Sequence, residues 1–128
     1  MKFNILDSSA WIECLDDGPN TPKFRPLLLK LPELLIPAIV ITEVRKVVLK
    51  QRTRQAADEV THAMRSGIVI PIDAEIASRA ADLFIEHQLP LADSLIYATA
   101  LIHKATLWTQ DDDFKSLPQV RYFPKTKS

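Results

Sequence analysis

Cysteine is almost absent from this 128-residue chain: Cys14 stands alone. A single thiol excludes an intrachain disulfide and a Cys-rich zinc site, and it reads as a small core residue. His62, His87 and His103 are far apart and show no paired-ligand spacing, so they read as surface or packing residues. Excess charge of one sign is missing too, with 16 Lys+Arg against 16 Asp+Glu and a formal net charge of +0. That balance excludes a protein that holds nucleic acid by bulk positive charge, but not an enzyme that touches nucleic acid locally. Long apolar runs are also lacking. The longest, 34–41, is interrupted by Pro37 and falls far short of the ~20 residues a spanning helix needs. The N-terminus meets Asp7 before any signal-peptide apolar core can form. The expectation is a soluble, cytoplasmic protein with no membrane partner.

What is present fits one ordinary globular domain spanning 1–128. Hydrophobic residues make up 47% and charged residues 25%, which argues against intrinsic disorder. A chain of this length buries about two-thirds of its unfolded surface and needs no staple to fold. The apolar pattern predicts strands at 3–6, 34–36, 68–72, 107–109 and 120–123. Helices are predicted at 8–15, around 24–31, and at 38–50, 54–65, 73–87 and 93–104. Pro37 is placed to open the third helix, Gly67 to end the fourth and Asp73 to cap the fifth. The segment 93–104 is apolar nearly all round, the mark of a buried helix. Strands alternating with helices predict a Rossmann-like, three-layer α/β fold with a mainly parallel sheet of four to five strands.

Four acids stand where a surface carboxylate is not the natural choice. Asp7 follows the first strand and Asp111 follows the fourth; in an open parallel sheet, ligands bind outside those C-terminal strand ends. Glu43 sits within the third helix beside the apolar stripe of Val40, Val44, Val47 and Val48, where a carboxylate is costly unless paired or cation-bound. Asp93 opens the most apolar helix, at the end whose dipole favours negative charge. Each also has a plain reading: Asp7, Asp93 and Asp111 as caps or turn residues, and Glu43 as a solvated partner of Lys46 at i,i+3.

Taken together, the four favour a cation. Carboxylates meeting in one cleft raise one another's pKa values unless a divalent ion neutralises them. An all-carboxylate set selects hard ions such as Mg²⁺ or Mn²⁺, and such a pocket suits phosphodiester hydrolysis by a metal-activated water. Ser8, Ser9 and Thr109 flank the strand-end acids and are placed to orient them, and Asp112 and Asp113 extend the acidic run. The densest basic stretch runs from Arg45 through Lys46, Lys50 and Arg52 to Arg54, with no acid from Arg45 to Ala57. It reads either as a flank that meets RNA phosphates, Lys46 first among them, or as a solvated helix end.

Four segments in order carry a family resemblance: Leu6-Asp7-Ser8-Ser9-Ala10-Trp11-Ile12-Glu13; Ile36-Pro37 with Thr42-Glu43-Val44; Ala92-Asp93-Ser94-Leu95-Ile96-Tyr97-Ala98; and Leu107-Trp108-Thr109-Gln110-Asp111-Asp112-Asp113-Phe114. The chain resembles a PIN domain over nearly its whole length and, within that superfamily, the VapC-type toxins of prokaryotic toxin–antitoxin pairs. The resemblance implies a metal-dependent endoribonuclease in which Asp7, Glu43, Asp93 and Asp111 hold one or two Mg²⁺ or Mn²⁺. It matches Asp113 to a less regular further acid, and Ser9 and Thr109 to hydroxyl positions. Water attack leaves a 5′-phosphate and a 3′-hydroxyl. Gln110 departs from the pattern, since a basic residue is common there. A cognate antitoxin that blocks the cleft and a homodimer are implied by the resemblance alone. A non-catalytic PIN-like module that binds protein or RNA remains the alternative; a phosphoacceptor receiver domain is disfavoured, because Asp73 is a poor acceptor and no matching strand-end Lys is evident.

Overall fold

In the computed structural model, which describes residues 2–126, the apolar run Phe3–Leu6 forms β1 at the centre of a five-stranded sheet. Leu35–Pro37 (β2) pairs with one side of β1 and Ala105–Thr109 (β4) with the other; Ile68–Ile70 (β3) and Val120–Tyr122 (β5) lie at the edges. Every pairing is parallel. The order β3-β2-β1-β4-β5 means that the chain builds outward from β1 first to one side and then to the other. The gap between the C-terminal ends of β1 and β4 is therefore the topological switch point, where open α/β sheets place their ligands.

Six helices flank the sheet: α1 (Ser8–Leu15), α2 (Thr21–Leu28), α3 (Ala38–Gln51), α4 (Arg54–Arg65), α5 (Ala74–His87) and α6 (Leu91–Ile102). In α3, Val40, Val44 and Val48 recur at four-residue spacing and are buried, one stripe facing the core. In α6 the buried set Ser94, Ile96, Tyr97, Ala98, Thr99 and Ala100 runs nearly all round the helix, as its composition predicts. These side chains meet Ile5, Leu6, Ile36 and Leu107 from the sheet in one apolar core. Cys14 is half-buried, and burial pushes its thiol up to about 11, so it is protonated and unreactive at neutral pH. No helix among the described residues is long and apolar enough to cross a membrane.

Several boundaries differ from the sequence expectation, each for a local reason. β3 stops at Ile70 rather than 72 because Pro71 has no N–H to give to the ladder. α6 begins at Leu91 with Pro90 at its cap, so Asp93 lies within the first turn and is not itself the cap. α2 begins at Thr21, with a proline in its first turn. Gly67 follows α4 without the left-handed conformation that usually calls for glycine there, since no glycine has positive φ. Its role is space: a Cβ at Gly67 would lie 2.7 Å from Ile36 Cγ1 and 3.0 Å from the Leu34 carbonyl oxygen. The left-handed helix end belongs instead to Gln88, which closes α5 at φ 54°. Asp73 caps α5 as expected, accepting from the Ile76 N–H at 2.9 Å.

Candidate active site

Asp7 is the first residue past β1, and its side chain is buried at 2% exposure. It caps α1, its Oδ1 accepting from the Ala10 N–H at 2.9 Å and from Ser9 Oγ at 2.8 Å. Its Oδ2 accepts from Thr109 Oγ1 at 2.5 Å. The Thr109 hydroxyl oxygen in turn accepts the Asp111 N–H at 2.9 Å, so the last residue of β4 ties together the acids at both strand ends. Capping and a functional role are thus compatible at Asp7. A carboxylate oxygen has two lone pairs; Oδ1 has both in use, whereas Oδ2 keeps one.

Glu43 reaches the same end of the sheet from α3. Its Oε1 accepts from Ser8 Oγ at 2.5 Å, and among the described residues it forms no ion pair with Lys46. Asp111 accepts the Asp113 N–H at 2.9 Å and so caps the short 3-10 turn Asp112–Phe114. Asp93, in the first turn of α6, accepts no hydrogen bond among the described residues. One carboxylate oxygen from each of Asp93, Asp111 and Asp113 lies within 4.8 Å of the others. Asp113, which the sequence places beside the site, is thereby a member of its tightest cluster. The signal for it is its i+2 spacing from Asp111, whose carboxylate accepts the Asp113 N–H and so holds the turn beside it.

The electrostatics describe one acidic centre. Burial pushes the Asp93 carboxyl up to about 8, assisted by the charges of Asp111, Asp7, Glu43 and Asp113 in that order. Burial also pushes Asp7 up to about 6; the hydrogen bonds from Thr109, Ala10 and Ser9 oppose it, and the Asp111 charge adds to it. Asp113 is raised chiefly by the charge of Asp111. Asp7 and Glu43 thus lie near enough to be felt at Asp93, although their oxygens are outside the tightest cluster. Converging carboxylates that hold protons toward neutral pH are the donor set of a hard divalent cation, whose charge removes the repulsion. Asp93, Asp111 and Asp113 fit such an ion most directly, with Glu43 and the remaining Asp7 Oδ2 lone pair on its flank.

The basic stretch is only partly free. Arg45 bonds Asp58 and Thr61, each at 2.9 Å, and joins α3 to α4. Arg52 bonds Asp16 at 2.7 Å and the Leu15 carbonyl at 2.9 Å, covering the end of α1. Lys46 is exposed one turn beyond Glu43. Gln110 is buried at 7% and turned inward: its Oε1 accepts from Asn20 Nδ2 at 3.0 Å, and its Nε2 reaches Ser9 O and Glu13 Oε1 at 3.4 Å. The same Asn20 amide bonds the Pro124 carbonyl at 3.0 Å. This buried pair holds the Asp111 loop and the segment after β5 in place. Its partners are 90 residues apart, and no local pattern marks them.

Comparisons with known proteins agree with this fold. The fold is similar to a toxin–antitoxin complex structure from Klebsiella pneumoniae, with 28% identity and a TM-score of 0.77 over 92% of this chain and 95% of that one. It is also similar to VapC20 of Mycobacterium tuberculosis, a sarcin–ricin loop cleaving toxin, with 17% identity and a TM-score of 0.75 over 91% of this chain and 95% of that one. DNA-bound VapBC from Salmonella typhimurium matches with 18% identity and a TM-score of 0.74 over 97% of this chain and 98% of that one. A comparison of the sequence with curated proteins gave no match. A PIN domain model matches residues 5–120, a span that takes in every acid of the cluster and both sides of the switch point; the chain belongs to the PIN domain family.

Proposed function

We propose that this chain is a metal-dependent endoribonuclease and the toxin of a toxin–antitoxin pair, acting in the cytoplasm. One observation carries the reading: acids from four separate elements meet at the switch point, on a scaffold whose hydroxyls are spent on orienting them. The similar structures support the biological class. One is a toxin–antitoxin complex, and another is a sarcin–ricin loop cleaving toxin.

Asp93, Asp111 and Asp113, with Glu43 and Asp7, would hold Mg²⁺ or Mn²⁺. A divalent cation there supplies Lewis acidity that activates water and offsets charge on the phosphate. The chain's own residues supply the placement. Ser8 fixes the Glu43 carboxylate, and Ser9, the Ala10 N–H and Thr109 fix Asp7. Thr109 also holds the loop that carries Asp111. One of Asp7, Glu43, Asp93 and Asp111 takes the proton as water adds to phosphorus. The bond from phosphorus to the 3′ oxygen breaks, the departing oxygen takes up that proton to become a 3′-hydroxyl, and the phosphate stays on the 5′ side. Lys46, at the rim beyond Glu43, contacts an RNA phosphate. The antitoxin covers this acidic cleft, and the toxin is a homodimer.

The test is cleavage of structured and single-stranded RNA by the purified protein with Mg²⁺ or Mn²⁺. Asp7→Asn and Asp93→Asn each abolish cutting on this reading; unchanged cleavage in either variant would refute the site. Calorimetry with Mn²⁺ separates an enzyme from an inert scaffold, which need not bind metal and is indifferent to loss of Asp93. A short adjacent reading frame encoding a DNA-binding N-terminus and a disordered tail is expected beside the gene.

A further inference from the structure

Beside Asp111, where the loop after β4 meets β5 and the segment that follows it, the surface opens into a pocket of about 280 Å³ lined by Gln110, Asp111, Asp112, Tyr122, Pro124 and Lys125. Its walls are fixed. Asn20 bonds both Gln110 and the Pro124 carbonyl, the Phe123 N–H bonds the Thr109 carbonyl at 2.9 Å, and the Phe123 ring stacks on Trp108. The volume lies just below the ~300–1,000 Å³ range of small-ligand sites, which suits one nucleotide and not several. The three remaining lining groups differ in chemistry and complement one another. Tyr122 is a half-buried aromatic ring, Lys125 a cation with no ion pair among the described residues, and Asp112 a carboxylate that accepts no hydrogen bond among them.

We propose that this pocket is a base-specific subsite for one RNA nucleotide next to the scissile phosphate, and that it selects guanine. The inference rests on the ribonuclease reading and adds substrate choice to it. Bases stack on aromatic rings with little regard to sequence, so Tyr122 supplies affinity. Lys125 pairs with the nucleotide's phosphate. Asp112 supplies the choice. A carboxylate presents two acceptor oxygens side by side and has no donor. Guanine is the one base whose Watson–Crick edge offers two adjacent N–H donors; adenine, cytosine and uracil each set an acceptor beside a donor, which a carboxylate repels. Single-stranded RNA exposes that edge to such contacts.

The experiment titrates the ¹⁵N-labelled full chain, in chelator, with the four ribonucleoside 5′-monophosphates and follows the amide shifts. GMP is expected to move the amides of residues 110–112 and 122–125 and to bind about fivefold or more tighter than AMP, CMP or UMP. Asp112→Asn erases that preference, Tyr122→Ala weakens all four nucleotides, and Lys125→Ala lowers the salt dependence of binding by about one ion. Shifts confined to other surfaces, equal binding of all four bases, or a GMP preference that survives Asp112→Asn overturns the subsite. Metal-supported cleavage, measured separately, keeps the two readings apart. A chain that cuts RNA but shows no shift at the pocket overturns the subsite alone. One that binds GMP there yet cuts no RNA supports a guanine pocket and refutes the ribonuclease.

Discussion

Thr109 Oγ1 lies 2.5 Å from Asp7 Oδ2, although 102 residues separate them. The contact exists because β1 and β4 run parallel side by side, with Leu6 opposite Trp108. The next residue on each strand therefore emerges at the same sheet edge. The hydroxyl also receives the Asp111 N–H, so one small side chain serves a buried carboxylate and the loop of a second acid. Thr109→Val keeps the shape and removes both partnerships. It should destabilise the fold by about 1–3 kcal/mol and slow RNA cleavage by about tenfold or more, while Thr109→Ser stays close to wild type. Urea denaturation and single-turnover cleavage check the pair; equal losses in the Ser and Val variants would show that the methyl, not the hydroxyl, matters.

Ser8 gives a cleaner separation of stability from site chemistry. Its hydroxyl bonds Glu43 Oε1 in a part-buried setting, and without it the long glutamate side chain regains its rotamers. Ser8→Ala should alter stability by no more than about 0.5 kcal/mol, yet weaken Mn²⁺ binding by about tenfold. Isothermal calorimetry beside a thermal melt reads both quantities. A variant that binds Mn²⁺ as wild type does removes Ser8 from the site.

The acidic centre fixes the sign of the pH dependence in metal-free protein. Asp93 rises from 3.8 to about 8 on folding and Asp7 from 3.8 to about 6. Between those values the folded state binds more protons than the unfolded chain. The stability these groups contribute is therefore complete below about pH 4 and is lost as pH rises through about 6 and then about 8. In chelator, Tm should fall by several degrees from pH 5.5 to pH 8.5. Asp93→Asn flattens that slope and raises Tm at pH 8.5, and Mn²⁺ restores the wild type most strongly at high pH, where no proton competes. A Tm that climbs over this range in chelator contradicts the raised pKa values.

The sequence reveals most of this arrangement through features that are local in the chain. The strand-then-acid order at Asp7 and Asp111, and the one carboxylate at the head of an otherwise apolar helix at Asp93, need only periodicity and the rule for parallel sheets. Glu43 is legible as an acid beside an apolar stripe, but not its partner. Lys46 is the near neighbour on the helix, whereas the fold brings in Ser8 from 35 positions away. Likewise the Asn20–Gln110 amide pair and the pairing of Arg45 with Asp58 depend on tertiary distance, which propensity does not encode. The five strands emerge from the pattern, with β3 trimmed by a proline whose consequence is predictable. The need for glycine at Gly67 is not, because it turns on where Ile36 and the Leu34 carbonyl pass, and no local pattern marks the left-handed Gln88.

Those two positions make opposite predictions from what residue type alone suggests. Gly67 has an ordinary negative φ, so an alanine there meets no backbone penalty. The cost comes from the 2.7 Å approach of its Cβ to Ile36 Cγ1 and the 3.0 Å approach to the Leu34 carbonyl, in a sheet that cannot shift without moving β2. Gly67→Ala should destabilise the fold by about 1–3 kcal/mol through overpacking. Gln88, with φ 54°, pays about 1–2 kcal/mol for a left-handed L-residue. Gln88→Gly relieves that strain but frees the unfolded chain by about 0.5–1 kcal/mol, leaving a net gain of about 0.5–1 kcal/mol. Parallel urea melts of the two variants decide the matter. A stabilised Gly67→Ala would mean that β2 yields, and a destabilised Gln88→Gly would mean that the Gln88 side chain holds the end of α5 by a contact worth more than its strain.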